Sequence, residues 1–118
     1  MQSPRQTVRL PQFDRDVKKL GKKYRHAQED IDAFERLLRS GSIDIAPWAD
    51  QVGGFGNRVV KKARVISQDL GGKSGGYRIW WLELPEGNVL IQVYTHHDAP
   101  NERQIHQETV RRLRLQGY

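Results

Sequence analysis

The chain has 118 residues, enough for one domain with a modest core and short for two. Hydrophobic residues make up 36% and charged residues 29%, a balance that suits a compact domain and excludes a fibrous or wholly disordered chain. The net charge of +6 favours polyanionic partners, and the lack of cysteine excludes disulfides and Cys-ligated zinc or iron–sulfur sites.

In chain order, VRL at 8–10 reads as a short edge strand, with Pro11 opening the turn into a helix. Phe13, Val17, Leu20 and Tyr24 recur at helical spacing, as do Ala27, Ile31, Phe34 and Leu38. They predict amphipathic helices over 12–24 and 27–39, joined by so short a turn that the two are antiparallel neighbours. Ser40-Gly41 ends the second helix. Residues 42–56, with isolated Trp48 and Phe55, read as an irregular connection. Strands are predicted over 58–67, 76–84 and 88–96, the last two joined through the turn signal PEGN at 85–88. A final helix follows, capped by Asn101, with a thin apolar side at Ile105, Thr109 or Val110, and Leu113.

The expected fold is α+β: a single domain over 1–118, with a small, mostly antiparallel mixed sheet packed on an N-terminal helical hairpin and a C-terminal helix. No element is long enough to cover the second sheet face fully, so that face is expected to be open. The N-terminus has no signal-like apolar run and no window reaches the length of a membrane span, so a cytoplasmic protein without membrane contact is expected.

Positive charge is concentrated in residues 57–78, where Arg58, Lys61, Lys62, Arg64, Lys73 and Arg78 face only Asp69. Such a run is usually a solvated face, so its geometry decides. Alternation along a strand puts Lys62 and Arg64 on one face and Ala63 and Val65 on the other. If Arg78 joins the first pair, three cations converge where folding alone gives little reason for them, and a bound phosphate would supply one. Arg58, Lys61 and Lys73 are candidates for additional RNA contacts; Trp80 reads either as a ring for stacking on a base or as partial core or partner interface. The stretch GGKSGG at 71–76 has the composition of a phosphate loop but not the Walker order or the following helix, which argues against a nucleotide triphosphatase.

The third strand ends in YTHHDAPN. His96, His97 and Asp98 stand where the chain leaves the sheet, and histidine exchanges protons near neutral pH. Their spacing matches no standard zinc pattern, so no metal site is expected. His106 lies on the last helix, and His26, between the first two, reads as structural.

The helix FDRDVKKLGKKY, the strand KKARV, the segment GKSGGYRIWW and the strand LIQVYTHHD before a final helix resemble the RelE/HigB-like toxins of bacterial type II toxin–antitoxin systems, in the RelE/ParE superfamily. The resemblance spans about residues 13 to 115. It implies an endoribonuclease that cleaves messenger RNA in the A site of the 70S ribosome, inhibits translation and is neutralised by a cognate antitoxin. Operator DNA would be met only through the antitoxin complex. It further implies that the strand cations fall on Lys62 and Arg64, and the phosphate-binding arginine on Arg78. The proton-transferring group is placed near His106 by relatives that use a tyrosine in the last helix, and at His96 or His97 by those that use a histidine after the last strand. No cofactor is implied. The alternatives are a non-cleaving nucleic-acid-binding module, a scaffold whose sheet is only a partner interface, and a gyrase inhibitor of the ParE type, which the cations and histidines disfavour.

Overall fold

The structure, a computed structural model, describes residues 6–40, 49–70, 76–98 and 101–118. The order is β1 (Gln6–Arg9), α1 (Pro11–Lys23), α2 (Ala27–Arg39), β2 (Ala49–Val52), β3 (Val59–Val65), β4 (Tyr77–Leu84), β5 (Gly87–Thr95) and α3 (Glu102–Leu115). The fold is α+β, as expected. Its five strands run in the order β1-β5-β4-β3-β2, with β1 parallel to β5 and every other pair antiparallel.

Pro11 sits in the first turn of α1, where its missing N–H costs nothing, and Asp14 in that turn and Lys22 and Lys23 in the last complement the helix dipole. Phe13 and Val17 of α1 and Ala27, Ile31, Phe34 and Leu38 of α2 are buried against one sheet face. There the Tyr24 ring meets Tyr77 edge-on, and Phe34 meets Trp81.

β2 lies inside the segment expected to be irregular. Its four residues carry little signal of their own, with Asp50 and Gln51 exposed, and its pairing is fixed by Ala49 opposite Ala63 and Val52 opposite Val60. The β2–β3 connection then folds Phe55 into the core. Gly54 has a φ of +89°, and a Cβ there would come within 2.8 Å of His106 Nε2.

The second sheet face is less open than expected, because α3 lies across part of it. Asn101 caps α3 by accepting a hydrogen bond from Gln104 N at 2.9 Å. Ile105, Thr109 and Leu113 are buried, and the Gln92 side chain, also buried, donates to Ile105 O at 3.0 Å and to Thr109 Oγ1.

A bulge and an ion pair secure this docking. Trp80 pairs with Gln92 but Trp81 with Leu90, which leaves Ile91 as the extra residue of β5. β1 pairs β5 only as far as Leu90, so the next backbone groups on that edge need other partners. Asp16 of α1 accepts from Val93 N at 3.2 Å, and Arg112 of α3 donates to Ile91 O at 3.0 Å. Asp16 and Arg112 also pair with each other at 2.6 Å, joining helices from opposite sheet faces around the edge of β5. No helix among the described residues is long and apolar enough to cross a membrane.

Candidate nucleic-acid interface

The ladders place side chains on the α3 face in two rows. One runs Arg64, Arg78, Tyr94 across β3, β4 and β5; the other runs Asp50, Lys62, Trp80, Gln92 from β2 to β5. Lys62, Arg64 and Arg78 therefore share a face, with Arg64 and Arg78 directly opposed and Lys62 one row away.

The three cations are in different electrostatic situations. Arg64 is exposed and Arg78 partly buried, and among the described residues neither has a carboxylate partner. Among the described residues, the Arg78 guanidinium makes a single long contact of 3.4 Å, to Tyr77 O. Burial, and secondly the nearby Arg64 charge, push its pKa down, so its charge is held at a cost that an arriving anion would relieve. Lys62, by contrast, is paired with Glu102 at the start of α3.

Tyr94 was not among the expected site residues, yet it stands opposite Arg78 and accepts a hydrogen bond from Trp80 Nε1 at 2.9 Å. Burial raises the Tyr94 pKa against the opposing effects of Trp80 and Arg78, so the phenol keeps its proton at neutral pH.

Trp80 itself is 0% exposed. Its ring lies beneath Lys62 Nζ, 5.9 Å from the ring centre, and meets His106 edge-on. The expected base-stacking role is corrected: α3 covers the indole, which supports the site from below. Lys61 is corrected too, because alternation sends it to the other face, where it pairs with Glu83 at 3.1 Å. Arg58 is occupied in holding the loop before β3 to the end of α3, donating to Tyr118 O at 3.1 Å and lying 5.9 Å from the Phe55 ring centre. Lys73 and the rest of residues 71–75, like Trp48, lie outside the described residues.

The histidines do not converge. The His106 ring stacks on Phe55 at 4.3 Å, and its Nε2 lies 3.1 Å from Gly53 O. A carbonyl only accepts, so Nε2 carries the proton. His96 and His97 are exposed just past β5, their ring centres 6.1 Å apart, and His96 N donates to Gly76 O at 3.4 Å. Asp98 accepts from Thr95 Oγ1 at 2.8 Å and pairs with Lys23, contacts that lower its pKa. Among the described residues no three His, Asp or Glu side chains are grouped to hold a metal ion. His26 is structural, its Nδ1 2.9 Å from Asp69 Oδ1 and its backbone N–H bonded to the same carboxylate.

The arrangement suits a phosphodiester. Two planar guanidiniums present fixed forks to phosphate oxygens, a protonated phenol borders them, and a lysine stands one row away. No protein-family model, curated protein or solved structure matches this chain.

Proposed function

We propose that this chain is an endoribonuclease toxin that cleaves messenger RNA in the ribosomal A site, inhibits translation and is restrained by a cognate antitoxin. The observation that carries the reading is the Arg64–Arg78 pair on the sheet face, which has no carboxylate partner among the described residues. The sequence resemblance to RelE/HigB-like toxins supports it from a different direction.

The reaction would be attack by a 2′-hydroxyl on the adjacent phosphorus, with breakage of the bond to the leaving 5′-oxygen. It needs charge stabilisation on the phosphorane, a base for the 2′-hydroxyl and an acid for the 5′-oxygen. Arg78 and Arg64 hold the non-bridging oxygens and take up the charge that develops there. Tyr94, protonated beside Arg78, is placed to donate a hydrogen bond or a proton. Lys62 reaches the phosphate only if Glu102 releases it. His96 and His97 are exposed at the end of β5, while His106 is engaged by Phe55 and Gly53. With so few groups, the ribosome would align the messenger in line. The antitoxin would present an acidic segment over Arg64 and Arg78.

The test is to map the ends left on a messenger incubated with the protein and translating ribosomes. New ends carrying a 2′,3′-cyclic phosphate and a 5′-hydroxyl support the mechanism. A 5′-phosphate at the cut would refute attack by the 2′-hydroxyl.

One observation favours a second reading. Lys62 and His106 are both committed to internal partners, so neither stands free beside the arginine pair. A module that binds RNA and blocks translation without cleaving it would need only the arginines. It predicts inhibited translation with an intact messenger.

A further inference from the structure

The exposed face of α1 is a second concentration of positive charge, remote from the arginine pair. Arg15, Lys18, Lys19 and Lys22 are all exposed. At the turn angle of an α-helix they fall within an arc of about 100° and extend about 10 Å along the axis. Phe13, Val17 and Leu20 occupy the opposite side of the same helix, against the core.

Nothing described neutralises this stripe. Among the described residues, none of the four has a carboxylate partner. Both acids of α1 are engaged elsewhere, Asp14 by Arg9 at 3.5 Å and Asp16 by Arg112 at 2.6 Å. Like charges three and four residues apart weaken a helix by a few tenths of a kcal/mol per pair, and the pairs 15–18, 15–19, 18–22 and 19–22 are all of this kind. The helix keeps a local cost that external negative charge would relieve.

The composition of the face narrows the partner. A helix that lies in a membrane surface needs apolar residues free to insert, but those of α1 are spent on the core. A protein partner is usually anchored by aromatic or aliphatic side chains, and the stripe has none. A row of long, mobile cations without apolar anchors matches a row of phosphates. We infer that α1 is a second RNA-binding surface that grips the phosphate backbone of a folded, helical RNA through Arg15, Lys18, Lys19 and Lys22, while the opposite face of the sheet takes the strand to be cut.

The choice of RNA as the polyanion rests on the proposed nuclease reading; the surface itself does not. The two faces thus divide the work: α1 supplies affinity for structured RNA, and Arg64 and Arg78 supply contact with one phosphate. Binding at α1 is electrostatic and indifferent to sequence.

The experiment measures binding of the full chain to a labelled RNA hairpin and to anionic phospholipid vesicles across a salt titration. It compares the wild type with R15Q/K18Q/K19Q/K22Q and with R64A/R78A. The four-fold α1 variant is expected to lose hairpin affinity by about tenfold or more near 0.15 M salt, with a log–log salt slope shallower by roughly 2–3. R64A/R78A should keep most hairpin affinity while losing cleavage. Unchanged affinity and slope in the α1 variant would overturn the inference. So would loss of vesicle binding with hairpin binding intact, which would assign the stripe to a lipid surface. Retained cleavage in R64A/R78A would defeat the nuclease reading while leaving the α1 surface standing.

Discussion

Arg64 and Arg78 stand directly opposite one another across the β3–β4 ladder, two like charges in one cross-strand pair. Directly opposed like charges destabilise a sheet by a few tenths to about 1 kcal/mol, so the pair is a cost to folding. Replacing one should therefore help the fold while harming the site. Arg64→Gln is expected to gain about 0.5 kcal/mol in urea unfolding. Its affinity for single-stranded RNA should fall several-fold. A loss of stability in this variant would mean that Arg64 has a structural partner.

Under the proposed reading, Glu102 would compete with RNA for Lys62. The pair is partly exposed, with side chains 30% and 65% accessible, so it contributes at most about 1 kcal/mol to the fold. Glu102→Gln should leave thermal stability nearly unchanged, tighten RNA binding a few-fold and steepen its salt dependence by about one phosphate contact. In the Lys62→Gln background the same change should add much less. Equal effects in both backgrounds would show that Glu102 acts on RNA without Lys62.

The Asp16–Arg112 pair holds α1 and α3 to the same edge of β5. Its side chains are only 19% and 12% accessible, and both also satisfy backbone groups of β5. Asp16→Ala removes one of the two carboxylates that hold Arg112, leaving it Glu108, and leaves Val93 N unpaired, at an expected cost of about 1–3 kcal/mol in chemical unfolding. Adding Arg112→Met should recover part of the loss. A cost below about 0.5 kcal/mol would show that α3 is docked by its apolar side alone.

Acid should weaken the C-terminal helix through Glu108. Hydrogen bonds from Arg111, ahead of those from Arg112, lower its pKa from 4.5 to about 2. A carboxylate with a depressed folded-state pKa contributes stability that is complete above its unfolded value and lost as pH falls through the folded one. The difference in Tm between the wild type and Glu108→Gln should therefore be constant above about pH 5 and close between pH 4.5 and 2. A difference independent of pH would assign Glu108 a role other than its charge.

The helical hairpin, β3, β4, β5 and the Asn101 cap were legible in the sequence because periodicity and turn chemistry are local signals. The shared face of Lys62 and Arg64 was legible from strand parity, whereas Arg78 joins them through the β3–β4 register, which parity within one strand does not fix. β2 was not, since its pairing is imposed by β3. Tyr94 was overlooked because a tyrosine in GNVLIQVYT reads as core, and only the β4–β5 register sets it beside Arg78. Trp80 stood between base stacking and core in the sequence, because a thin apolar stripe on α3 gives no hint that Gln92 and Arg112 secure that helix over the indole by polar contacts. The α1 stripe escaped a count of charge by segment, as it emerges only on the helical face.

The most direct measurement is primer extension on a translated messenger, with and without ribosomes, comparing the wild type with Arg78→Ala. Ribosome-dependent cuts by the wild type that disappear with Arg78→Ala, while ribosome binding persists, are the predicted result. An intact messenger with both proteins despite confirmed ribosome binding, or cuts that survive in Arg78→Ala, would contradict the account.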